Sequence, residues 1–102
     1  MTHQLVFQFE SITVQDYDRL IALSEKIGEA LPHGAILDGH DVGLGEFNIF
    51  IHTKRPKAHF GPIREIIAKV HPELAFAAGY RALEDDEYLV LWPPSSTKFS
   101  VA

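Results

Sequence analysis

Cysteine is missing from all 102 residues. Its absence excludes a disulfide scaffold, a cysteine-ligated zinc or iron–sulfur centre and thiol catalysis. Basic residues are scarce: 9 Lys and Arg stand against 14 Asp and Glu, for a net charge of −5. Neutralising a phosphate backbone needs clustered cations, so a nucleic-acid partner is not expected. No apolar run approaches the ~20 residues that span a bilayer. Met1-Thr2-His3-Gln4 lacks the basic start and apolar stretch of a secretory signal. A cytoplasmic protein with no membrane partner is therefore expected. Internal repeats and low-complexity segments are absent too. The serines at 11, 24, 95, 96 and 100 occur in no G-x-S-x-G context.

What is present is a globular balance, with 46% hydrophobic and 23% charged residues. One domain over residues 1–92 is expected, followed by an extended or frayed tail from Pro93 to Ala102. Leu5, Phe7 and Phe9 alternate with Gln4, Gln8 and Glu10, the mark of a strand with one buried face. Thr13 and Asp16 resemble a capping box ahead of Tyr17, Leu20, Ile21, Ile27 and Leu31, which recur at helical spacing. Residues 35–42 and 46–53 flank Gly43-Leu44-Gly45 as a hairpin. A second helix opens at Pro56, or effectively near Pro62, and ends at His71-Pro72. Strands over 74–83 and 87–92 enclose the acidic turn Glu84-Asp85-Asp86. The order is the β-α-β-β-α-β of a ferredoxin-like α+β fold, with an extra C-terminal strand and both helices on one sheet face. Another two-layer α+β arrangement is the alternative.

The hairpin register decides what the other face carries. A two-residue loop would place Asp38 and His40 with Phe47, Ile49 and Ile51, and burying ionisable groups is costly. A three-residue loop ending in a left-handed Gly45 gives a clean apolar set of Leu37, Gly39, Phe47, Ile49 and Ile51. That register is the expected one. It leaves Asp38, His40, Glu46, Asn48 and His52 on the open face around Phe50, continued by Gln8 from the first strand and Arg81 from the fourth. These seven polar residues are the candidate binding set. His40 would be the acid or base, oriented by Asp38 or Asn48, with Asn48, Gln8 and Arg81 holding a polar ligand. An antiparallel face that simply meets water would look the same. The histidines and acids lack the spacing of a metal site, so neither metal nor other cofactor is expected. Asp41 falls at the outer end of the apolar face, or caps the turn. Tyr88 and Trp92 share one face of the last strand. His3, His33, His59 and His71 look like surface residues. Lys54-Arg55-Pro56-Lys57 is the one basic cluster; it is a solvated loop or a weak anion site at the start of the second helix.

Residues 39–51, Gly-His-Asp-Val-Gly-Leu-Gly-Glu-Phe-Asn-Ile-Phe-Ile, resemble a G-H-D-x-G-x-G-E-x-N-x-F-I hairpin motif of small uncharacterised bacterial proteins. The resemblance implies that His40, Asp41, Glu46 and Asn48 act as a unit. It implies no activity.

Two functions compete. The first is a small acidic binding or interaction module whose partner is itself, as a homodimer, or another protein; an immunity-like protein that contacts a basic partner through Glu84–Glu87 is its concrete form. The second is a small enzyme or metabolite-binding protein that uses the polar face around His40. A dimer whose sheets close over an apolar pocket, as in cofactor-independent oxygenases, is a third arrangement.

Overall fold

The computed structural model describes residues 2–101. Met1 and Ala102, the outer limits of the expected domain and tail, lie outside the described residues. The elements are β1 (His3–Glu10), α1 (Val14–Ala30), β2 (Ala35–Gly43), β3 (Glu46–Thr53), α2 (Pro56–Val70), β4 (Ala77–Ala82) and β5 (Leu89–Trp92). They build one five-stranded sheet in the order β2-β3-β1-β4-β5. Every neighbouring pair is antiparallel. This is the expected α+β arrangement, ferredoxin-like with an added edge strand. No helix is long and apolar enough to cross a membrane.

The core lies between the helices and one sheet face. Leu5, Phe7, Phe9, Phe47, Ile49, Ile51 and Ala78 supply the sheet side, and Leu20, Leu23, Ile27, Ile63 and Ile67 the helix side. Period 2 on the strands and period 3.6 on the helices put these residues on facing surfaces. α1 starts where its capping box says it should. Thr13 Oγ1 accepts from the Asp16 amide at 3.0 Å, and the Asp16 carboxylate accepts from the Thr13 and Ile12 amides at 3.2 and 3.1 Å. α2 begins at Pro56, not near Pro62, and runs through Pro62. That interior proline gives up one backbone hydrogen bond but leaves the buried row Ile63 and Ile67 in place. The last two strands are shorter than their sequence pattern suggests. Residues 74–76 belong to the irregular chain after α2, although Leu74 and Phe76 still pack on the core.

The hairpin corrects the expected register. Val42 pairs with Phe47, Asp41 with Asn48 and His40 with Ile49, so the loop is the two residues Leu44-Gly45. Both have positive φ, 52° and 79°, the backbone of a turn whose twist matches the strands it joins. The register then shifts between Leu37 and Gly39, where Asp38 bulges out. The bulge returns Leu37 to the core face opposite Ile51 and swings Asp38 to the open face. His40 is left on the helix side, at the exposed rim. Its imidazole stacks on Phe47, with centroids 5.0 Å apart and planes at 6°. A two-residue loop therefore buries neither ionisable group.

A second bulge, between β4 and β5, also overturns an expectation. Ala78 pairs with Trp92 but Gly79 with Val90, so Leu91 is the extra residue. Trp92 thereby turns to the helix side, against Phe60 and Phe76 and under the Arg64 guanidinium at 3.9 Å. Tyr88 stays on the open face. The two aromatics do not share a surface.

Candidate functional site: the open sheet face

β1 and β3 place Gln4, Val6, Gln8, Glu46, Asn48, Phe50 and His52 on the face away from the helices, paired as Gln4 with His52, Val6 with Phe50 and Gln8 with Asn48. β4 adds Arg81 beside Gln4 and Gly79 beside Val6. β2 contributes Asp38 and Asp41. Six of the seven candidate residues are thus on this face: Gln8, Asp38, Glu46, Asn48, His52 and Arg81. His40 is not, because the two-residue loop sends it to the other side. Asp41, expected on the apolar face, takes the vacated position.

These residues fall into three separate groups. The first crosses the sheet near the hairpin tip. Asn48 Nδ2 donates to Asp41 Oδ1 at 3.0 Å, and Asn48 Oδ1 accepts from Gln8 Nε2 at 3.0 Å. Gln8 Nε2 also reaches Glu46 Oε1 at 3.1 Å and the Ser100 carbonyl at 2.9 Å. Asn48 is 1% exposed, so these bonds replace the water it has lost. The second group is His52 Nε2 and Asp38 Oδ2, 3.2 Å apart and partly solvated. The third holds the far end of β4. Arg81 Nε donates to Gln4 Oε1 at 3.1 Å, its terminal nitrogen reaches the carbonyls of Leu83 and Asp85 at 2.9 and 2.8 Å, and Tyr88 OH donates to the same Gln4 oxygen at 2.6 Å. Arg81 therefore clamps the β4–β5 turn and has no free fork to offer a ligand.

The tail covers the centre of the face. Pro93–Ser96 turn back, with the Ser96 amide donating to the Pro93 carbonyl at 3.0 Å. Phe99 then settles over Gly79, edge-on to Tyr88 at 5.2 Å between centroids, and is 9% exposed. A side chain at 79 would sit 2.6 Å from the Phe99 ring. The described part of the tail turns at Pro93–Ser96 and is then docked on the sheet by Phe99 and by the bond from Gln8 to the Ser100 carbonyl. Val6, paired with Gly79 on one side and Phe50 on the other, is fully buried.

No family model, curated protein or solved structure matches this chain. Its chemistry must be read from these groups alone. Nearly every polar side chain on the face is engaged within the chain, and among the described residues of this face no imidazole, carboxylate and hydroxyl share a hydrogen-bonded group. Among the described residues no three His, Asp or Glu are placed to hold a metal ion. The sequence reading missed Phe99 and Tyr88 as parts of this surface. Gly79, a glycine inside a strand, was the available signal that another part of the chain comes close there.

One more histidine is misplaced by sequence alone. His59, expected at the surface, is 9% exposed, and its Nδ1 lies 2.6 Å from Thr53 Oγ1. The start of α2 folds back onto the end of β3 and encloses it.

Proposed function

We propose that this protein is a small interaction module that docks a basic partner protein through its β4–β5 turn, in a bacterial cytoplasm. The observation that carries the reading is the Arg81 clamp on that turn. It fixes an exposed run of four acids, Glu84-Asp85-Asp86-Glu87, between two exposed leucines, Leu83 and Leu89. None of the four carboxylates forms an ion pair among the described residues. A rigid acidic surface with apolar anchors steers a cationic partner and then holds it, with little ordering cost on binding. Self-association through this turn would bring eight carboxylates together, which favours another protein over a second copy. An immunity-like inhibitor of a basic toxin is the concrete form of this role. The enzyme reading loses its centre, because His40 is on the opposite face from Asp38, Glu46 and Asn48 and Arg81 is committed to the turn. A sheet-to-sheet dimer would have to displace the tail from the apolar middle of the face.

The test compares wild type with Glu84→Lys/Asp86→Lys, immobilised and exposed to extract of the source cells at low salt. The expected result is a basic protein retained by wild type, lost from the variant and released by salt, with association to the purified partner slowed ~10-fold or more by the variant. Identical retention on both surfaces would sink the proposal.

A further inference from the structure

The molecule carries a second charged feature, of the opposite sign. An open cleft of about 430 Å³ lies where the end of β3 meets the start of α2. Lys54, Arg55, His33, His52 and His59 line it, together with Thr53 and Ile36, and no Asp or Glu does. In a chain of net charge −5 this lining holds no carboxylate; of its imidazoles, His52 turns its Nε2 to Asp38 on the open face at 3.2 Å, which leaves Lys54, Arg55 and His59 to face a ligand. We propose that the cleft binds a small oxyanion, the phosphate or carboxylate end of a compact ligand whose body rests on Ile36.

Three observations fix the donor geometry. The first is a hydrogen-bond chain. The Arg55 amide donates to Thr53 Oγ1 at 2.9 Å, and that hydroxyl lies 2.6 Å from His59 Nδ1. Thr53 is 2% exposed. In the tautomer where this hydroxyl donates to Nδ1, the neutral ring holds its proton on Nε2, which forms no hydrogen bond among the described residues and belongs to a side chain that lines the cleft. The second is the start of α2. Arg55 is its N-cap and makes no side-chain cap, and Pro56 at the first helical position has no amide to satisfy. The amides of Lys57 and Ala58 therefore have no intrahelical acceptor, and the N-cap Arg55, just ahead of them, is the residue of the helix start that lines the cleft. The third is Gly34, in the left-handed region at φ 92°. A Cβ there would rest 3.5 Å from His59 Cε1, so the glycine keeps that edge of the imidazole uncovered. The His59 imidazole and the flexible cations Lys54 and Arg55 border one space beside the helix start, where an oxyanion supplies the helix with the cap that the chain itself lacks.

The experiment is a two-dimensional amide NMR titration of the full chain with sodium phosphate and, separately, with sodium acetate. Ionic strength is held constant with sodium chloride. The expected result is a saturable shift of the Lys57 and Ala58 amides and of the His59 ring, with half-saturation on the order of 1 mM, a value that corresponds to about 4.1 kcal/mol. The preferred arm distinguishes a phosphate ligand from a carboxylate. Lys54→Glu/Arg55→Glu changes two exposed side chains and is expected to weaken binding at least ~10-fold, whereas Lys69→Glu at the far end of α2 is expected to leave it unchanged. His59→Gln, where it folds, is expected to weaken binding as well. Shifts that rise linearly with either anion, or that persist unaltered in Lys54→Glu/Arg55→Glu, overturn the proposal. The docking role of the β4–β5 turn stands or falls separately, since none of its residues enters this cleft.

Discussion

At the residue scale, Asp16 shows how one side chain both starts a helix and makes stability depend on pH. Its carboxylate accepts from the Ile12 and Thr13 amides, and these two bonds hold its pKa below the ordinary 3.8, with Arg19 nearby adding a smaller pull. The sign follows from linkage. A carboxyl whose folded pKa is depressed contributes stability that is fully present above the unfolded value of 3.8 and is lost as pH falls from there through the folded value. Asp16→Asn should therefore lower the urea midpoint at neutral pH. The gap between wild type and variant should close as unfolding is repeated from about pH 6 down to about pH 2. A gap that stays constant over that range would mean the lost bonds matter without the charge. Glu73, whose pKa is also lowered, chiefly by its own backbone amide, acts in the same direction but is common to both proteins and cancels in the difference.

At the element scale, the hairpin shows what a sequence discloses and what it hides. Period-2 and period-3.6 patterns located both helices and every strand, because burial of one face needs the residue types that make those patterns. The register was harder. A regular pairing runs one register through the whole hairpin, whereas the molecule uses a tight turn for half its length and resets at Asp38. A bulge leaves no periodic signature, and its glycine, Gly39 at φ 133°, reads in the sequence as one more apolar-face residue. The same limitation separated Trp92 from Tyr88. For the candidate site the outcome was mixed for this one reason: Asp38, Glu46, Asn48, His52, Gln8 and Arg81 fell on the open face, while His40 and Asp41 exchanged sides. The tight turn itself is imperfect. Leu44 occupies a left-handed position at φ 52°, where a Cβ is unfavourable, and is 89% exposed, so its side chain gains nothing in return. Asn tolerates that conformation, and Asn-Gly is the preferred pair for this turn. Leu44→Asn is expected to stabilise the protein by about 1 kcal/mol, read as a higher urea midpoint with an unchanged slope. A destabilised variant would mean that the Leu44 side chain contributes packing at this end of the molecule, where the Ser11 amide donates to the Gly45 carbonyl at 2.9 Å.

At the scale of the whole molecule, the sheet has two covered faces of unequal kind. Helices cover one with an apolar core. The tail covers the middle of the other with a single ring, Phe99, laid over Gly79 and against Tyr88 and pinned by the bond from Gln8 to the Ser100 carbonyl. This joins regions distant in sequence: the last residues hold the same glutamine that ties β1 to Asn48 and Glu46 on β3. Removing residues 97–102 should thus act in two ways. It strips the cover from Tyr88 and Gly79, at a cost of about 2–4 kcal/mol by comparison with other losses of a buried aromatic. It also uncovers an apolar strip on a sheet face, the kind of surface that associates. The truncated protein should unfold at lower urea and elute as a concentration-dependent dimer where the full chain does not. Phe99→Ala separates the two effects, since it removes the ring but leaves Ser100 to bond Gln8. If the ring is the seal, the substitution should reproduce most of the destabilisation and part of the association. If Phe99→Ala behaves as wild type while the truncation does not, the backbone bond to Gln8 holds the tail and the ring merely follows it.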